Sequence, residues 1–143
     1  MKKLRDGISI EYFNEIGREY LPGFLGLEML EVQEGSLRSR MPVKKIHIAP
    51  NEFLHAASIV ALADTTCGYA TIAHLPAGAQ SFTTIELKSN HLGTVKEGGI
   101  ACLATVQHLG RNTQVWDAVV TDEATGNKIA LFRCTQMVLW PRT

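Results

Sequence analysis

Between Phe53 and His74 the chain reads FLHAASIVALADTTCGYATIAH, an apolar helical segment in which Asp64 is the only formally charged residue. Pro50 and Asn51 supply helix-start chemistry just upstream, since Asn is a good N-cap and Pro sits well outside the helix. The helix is expected to run from about His55 to His74 and to end before LPAGAQ. A helix that is apolar nearly all round has no face to offer water, so it must be covered. A bilayer is a poor cover: the segment is rich in Ala, Thr and Gly, and Asp at a membrane centre costs ~2.5–3.5 kcal/mol on the insertion scale. The cover is expected to come from the chain itself.

The remaining segments suit that task. Residues 8–20, ISIEYFNEIGREY, place Ile8, Tyr12, Ile16 and Tyr20 at a four-residue step, which predicts a short amphipathic helix that LPGFLG then breaks. Residues 27–33 and 36–43 read as a hairpin around Glu34–Gly35. After the long helix come SFTTIELKSNHL, GIACLATVQHL, TQVWDAVVTDE and KIALFRCTQMVLW, rich in Thr, Val and Ile and separated by Gly-bearing turns. Strand alternation sets Ile85, Leu87 and Ser89 against Thr84, Glu86 and Lys88. The fold class this predicts is α+β, with one antiparallel β-sheet wrapped around one long central α-helix. At 143 residues a single domain spanning 1–143 is expected, with 1–22 as an N-terminal helical extension; a chain of this size buries about 68–70% of its unfolded surface.

Fourteen basic residues balance fourteen acidic ones. That removes the electrostatic footprint of a general nucleic-acid binder, while leaving room for a local basic patch aimed at a phosphate. Cys67, Cys102 and Cys134 lie far apart in apolar runs with no CxxC or Cys/His spacing, so free thiols are expected and a metal site is not. The N-terminus lacks the apolar region of a signal peptide. A cytoplasmic protein that neither enters a membrane nor binds nucleic acid is the expectation.

Asp64 is the first candidate for chemistry. No Lys or Arg stands at i±3 or i±4, so no helical ion pair neutralises it. A desolvated lone carboxylate is pushed toward a raised pKa, the condition of a general base or nucleophile; exposure to solvent or a bond to the sheet backbone are the bland alternatives. His55 opens the helix, where the amides of Ala56 and Ala57 are expected as orphan donors and the macrodipole favours a developing oxyanion; a surface or capping role is the bland and commoner alternative. Asp64 lies nine residues on, about 13 Å along a helix and half a turn out of phase. If both serve one site, that site must lie between two subunits. Gly110, Arg111, Asn112 and Thr113 form a turn suited either to a plain hairpin or to a phosphate, with Lys88, Lys96 and Arg133 as possible phosphate partners or solvated charges. His74 ends the helix, where a cation suits the dipole.

NEFLHAASIVALADTTCGYA, followed by TTIELKSNHL, GRNT and ATGNKIALFRCTQ, resembles the hotdog-fold acyl-CoA thioesterases of the phenylacetate-degradation (PaaI-like) type, over about residues 20–140. The resemblance implies a hotdog fold and hydrolysis of an acyl-CoA to a carboxylic acid and free coenzyme A. It also implies a homodimer built by joining sheets, or a dimer of dimers, with no metal or cofactor beyond the coenzyme A of the substrate. By resemblance Asp64 is the nucleophile or general base. His55 and the Ala56 amide come from the partner subunit and meet the thioester. Asn51 stands for the Asn upstream of that His, and Thr84 for a Ser or Thr that places the water. Gly110, Arg111 and Thr113 match the turn that often holds coenzyme A phosphates. The family's His-Gly-Gly reads His-Ala-Ala here, His91 replaces a usual Phe or Tyr, and Gly68 stands where some relatives carry Ser or Thr. The alternative function is a non-catalytic acyl-CoA-binding hotdog module.

Overall fold

The computed structural model describes residues 3–143; of the expected 1–22 extension, Met1 and Lys2 lie outside the described residues. Helix α1 (Ile10–Ile16) is shorter than the sequence pattern suggests, because Ser9 caps it through the Tyr12 amide and Gly17 closes it onto the Phe13 carbonyl. The four-residue stripe does not set its buried face. Phe13 is fully buried and stacks on Tyr69 at 4.8 Å, whereas Tyr20 is 70% exposed. LPGFLG does not merely break the chain. Leu21–Leu25 forms a second short helix, α2, with Pro22 in the first turn and Gly26 closing it in the left-handed region at φ 78°. Proline costs nothing at a position whose N–H has no helical partner.

Strands β1 (Glu28–Gln33) and β2 (Ser36–Pro42) form the expected hairpin. Helix α3 (Ala56–Ala73) follows, then β3 (Ser81–His91), β4 (Gly99–Leu109), β5 (Thr113–Asp122) and β6 (Lys128–Leu139). All six strands make one antiparallel sheet in the order β1-β2-β4-β5-β6-β3, so β1 and β3 are its edges. Helix α3 packs across β2 to β6. This is the hotdog architecture: the helix that has no polar face lies in the curl of the sheet. By length and composition α3 would cross a membrane, yet its burying partner is the sheet. Ile59, Leu62, Ala63, Cys67, Ala70 and Ala73 fill the helix side of the core against Trp116, Ala118, Phe132 and Cys134.

Two local features correct the strand and helix reading. The β3–β6 register shifts between Thr84 and Glu86, with Ile85 as the extra residue. A bulge of one residue reverses the side-chain parity, so Thr84, opposite Gln136, and Leu87, opposite Cys134, share the helix-facing side. His74 is no cation. Its Nε2 accepts the Gly35 amide at 2.8 Å while its Nδ1 donates to the Ala70 carbonyl at 2.7 Å, which fixes a neutral ring inside the core. The three cysteines are free and buried, as expected. Burial pushes the Cys102 thiol up to about 12.

Gln136 is fully buried, and neither its Nε2 nor its Oε1 has a hydrogen-bond partner. Its neighbour across the ladder, Gln114, is satisfied by the His74 carbonyl and the Trp116 indole. An unsatisfied buried amide carries its full desolvation cost, about 1–3 kcal/mol. Gln136→Met keeps the shape and removes both polar atoms, so its melting temperature is expected to rise by several degrees. A lower melting temperature by calorimetry would rule out this account of the site.

Candidate active site

Asp64 sits at mid-helix, half-buried on α3. Its Oδ1 is buried and has no hydrogen-bond partner, and no ion pair among the described residues includes it. Burial alone raises its pKa above the ordinary 3.8. One turn later Gly68 packs under Phe82 of β3: a Cβ there would stand 3.2 Å from the Phe82 Cζ. The helix flank that carries Asp64 and Gly68 thus faces the β3 edge of the sheet. Along that edge Ile85 and Leu87 remain 52% and 43% exposed.

The helix start is built by His55, which is itself the N-cap. Asn51 does not cap α3; its Oδ1 accepts the Phe53 amide at 3.2 Å in the preceding turn. The correction has a simple cause. The chain leaves that turn through an isolated bridge from Ile48 to Leu54 before the helix begins, and Asn51 lies too early to reach it. His55 Nδ1 accepts the Ala57 amide at 2.9 Å, which leaves the ring hydrogen on Nε2. Ala57 is therefore capped rather than orphaned, and Ala56 carries the open amide of the first turn. Both alanines are exposed and helical, and Glu52 (φ 70°) is the one non-glycine residue at positive φ among those described. The position that reads Gly in the family motif asks for no left-handed backbone here, so a Cβ fits.

The described chain brings together some of the candidates and separates others. Asn51, His55 and Ala56 cluster at the start of α3. Asp64 lies about 13 Å further along and half a turn round, so it cannot meet them within one protomer. Thr84 faces the helix side from β3, half-buried at the bulge. Gly110, Arg111 and Thr113 lie at the opposite end of α3, lining or adjoining a cavity of about 750 Å³ that also includes His74. There the Gly110 amide bonds the Thr113 carbonyl at 2.8 Å, closing the turn, and Arg111 stacks on Trp140 at 4.7 Å. Arg133 is engaged elsewhere, in a two-point ion pair with Asp117 that includes a 2.8 Å bond to Oδ2.

Sequence reasoning missed the bulge that brings Leu87 to the side Thr84 faces, and the unpartnered amide of Gln136. His55 takes the capping role that is common for a His directly before an apolar helix. Nothing local marks the bulge, since both parities of SFTTIELKSNH mix apolar and polar residues.

The thioesterase superfamily model matches residues 51–129, a segment that contains Asn51, His55, Ala56, Asp64, Thr84, Gly110, Arg111 and Thr113. The 1,4-dihydroxy-2-naphthoyl-CoA hydrolase of Listeria monocytogenes is 30% identical over 78% of this chain and 89% of its own. The enzyme of the same name from Escherichia coli is 29% identical over 81% and 85%. Among solved structures, a mutant of thioesterase PA1618 from Pseudomonas aeruginosa is similar at a TM-score of 0.89 and 26% identity, covering 95% of this chain and 97% of that one. The agreement runs through fold, length and the segment that joins the His55 helix start to Asp64: the chain belongs to the thioesterase superfamily and is a hotdog-fold thioester hydrolase.

Proposed function

We propose that the protein hydrolyses an acyl-CoA to a carboxylic acid and free coenzyme A at a site shared by two copies of the chain. The observation that carries the proposal is the Asp64 carboxylate: half-buried, unpartnered, and too far from its own helix start to work with it. The partner's helix start supplies what is missing. The exposed apolar edge of β3 supports strand pairing with a second copy, because an unpaired edge of that kind invites another strand. A dimer, alone or paired again into a tetramer, is the assembly we infer.

In this reading the thioester carbonyl oxygen accepts the Ala56 amide at the positive end of α3, where negative charge develops in the transition state. His55 Nε2–H stands beside it as a second donor. Asp64 of the other protomer acts in one of two ways. As a base it takes a proton from water, hydroxide attacks the carbonyl carbon, the C–S bond breaks and the thiolate is protonated. As a nucleophile it attacks the carbon itself, expels the thiolate and forms an anhydride that water opens. A raised pKa strengthens the carboxylate as a base in either route. Thr84 positions the water, Asn51 keeps its amide N–H groups free beside the helix start, and we infer from the family resemblance that Gly110, Arg111 and Thr113 hold coenzyme A phosphates. No metal or redox cofactor enters the scheme.

The test is thiol release from a panel of aliphatic and aromatic acyl-CoAs. Hydroxylated aromatic acyl groups belong in it because the relatives above are named for 1,4-dihydroxy-2-naphthoyl-CoA. Turnover of at least one acyl-CoA is expected. Tight binding without thiol release across the panel would instead favour an acyl-CoA-binding module.

A further inference from the structure

Ser89 Oγ and His91 Nε2 are 2.9 Å apart near the end of β3, and the reaction above uses neither. Residues two apart on a strand share a face. Opposite them on β6 stand Phe132 and Ala130, both buried in the core, so the pair lies on the helix-facing side of the sheet. Because β3 is an edge, no further strand of the same chain flanks them: His91 is exposed and Ser89 half-buried. The family resemblance puts Phe or Tyr where His91 stands. Either ring would fill the space, but neither brings an N–H to it.

The pair is close to the start of α3 and fixed relative to it. The Leu92 and Gly93 amides both donate to the Ile129 carbonyl, at 2.7 and 3.2 Å, which holds the end of β3 against β6. Thr94 Oγ1 then accepts the Leu54 amide at 2.9 Å. Leu54 directly precedes His55, the cap of α3. Thr94 follows His91 by three residues, which span at most about 10 Å of chain. His91 and the Ala56 amide therefore belong to the same end of one protomer, on the same side of its sheet.

In the proposed reaction the Ala56 amide, His55 and Asp64 all act on the carbonyl or on the group that attacks it. The sulfur has no donor among them, yet it must carry away the electron pair of the C–S bond. An alkyl thiol such as coenzyme A is only weakly acidic, so its thiolate leaves poorly unless a positioned donor meets the charge as it develops. Resting on the acyl-CoA reading above, we propose that His91 is a further catalytic residue, whose Nδ1–H donates a hydrogen bond to the thioester sulfur as the C–S bond breaks. Ser89 is its positioning residue: the hydroxyl donates to Nε2, which places the ring hydrogen on Nδ1 and holds the ring. The bonding pair passes to sulfur, the thiolate departs, and solvent then supplies its proton. One protomer thus serves both the carbonyl oxygen and the leaving sulfur, while its partner contributes Asp64.

The test compares two thioesters of one acyl group: the acyl-CoA and the nitrophenyl thioester, whose far more acidic thiol leaves without help. His91→Phe is expected to lower kcat on the acyl-CoA by about 10–100-fold, with KM little changed and the nitrophenyl thioester cleaved at the wild-type rate. Each variant is its own control, since a partly misfolded enzyme would lose both rates together. His91→Asn keeps a side-chain N–H where Nδ1 stands and is expected to restore most of the loss. Ser89→Ala is expected to lower kcat on the acyl-CoA by about 3–10-fold and again to spare the activated ester. Equal losses on the two esters, or a wild-type kcat on acyl-CoA in His91→Phe, overturn the assignment and leave the hydrolase reading standing. A wild type that cleaves the activated ester but no acyl-CoA overturns the assignment together with the acyl-CoA reading. A wild type that cleaves neither ends the hydrolase reading, and the role of His91 falls with it.

Discussion

Asp64→Asn is expected to keep the fold, lower kcat by about 10²–10⁴-fold and raise the melting temperature at neutral pH. The activity loss follows because the amide can neither accept a proton from water nor attack the thioester. The stability gain follows from burial, which lifts the folded carboxyl above its ordinary 3.8 with no partner to compensate. The native state then binds the proton more tightly than the unfolded chain does. Its stability is highest below the ordinary value and falls as pH rises through the raised folded value. Asn does not titrate, so the advantage of the variant opens across that window and is complete above it. Melting curves at pH 3 and pH 7 check the sign: the two proteins are expected to converge at pH 3 and separate at pH 7. Near-wild-type turnover of Asp64→Asn would end the catalytic assignment. The same linkage places the acidic limb of the kcat/KM profile above the usual carboxylate range.

Ala56→Pro is the second large effect. Ala56 is the first residue of α3, and His55 before it has φ −64° and ψ 132°. Proline is favoured at a first helical position and requires an extended residue before it, so the substitution fits this backbone. It removes one N–H and almost nothing else. If that amide holds the oxyanion, kcat is expected to fall by about 10²–10³-fold with stability unchanged. The subunit arrangement then becomes measurable. When Asp64→Asn and Ala56→Pro chains are refolded together, random pairing makes mixed dimers in which one site has both an intact Asp64 and an intact Ala56. Activity is expected to recover to about a quarter of the wild type, since half the dimers are mixed and each has one good site of two. No recovery would mean that the two residues serve the same-chain site or none, and the shared-site proposal would fall.

Much of this was legible before any coordinates. The bounds of α3 agree with the expected His55–His74 to within a residue at each end, because the apolar run and the breaker LPAGAQ are local signals, although the expected cap Asn51 is not the one used. Strands β3 to β6 were legible from their composition and turns. The isolation of Asp64 was legible from the absence of Lys or Arg at helical spacing. Expectations failed where a non-local contact decided the outcome. The buried face of α1 was set by Phe13 against Tyr69, fifty-odd residues away, and His74 became neutral because the Gly35 amide came to meet it.

The sequence by itself therefore determined the long helix and the strands, that one apolar helix had to be wrapped, and that a single carboxylate would be stranded in it, while the short helix α2 in LPGFLG escaped it. Periodicity, turn residues and charge are written along the chain. The tertiary structure alone decided that β3 is an edge beside β6, that a bulge at Ile85 brings Leu87 to the side Thr84 faces, and that the Gly35 amide meets the His74 ring. Strand order and register depend on which distant backbones exchange hydrogen bonds, and a shift of one residue reverses every side chain beyond it.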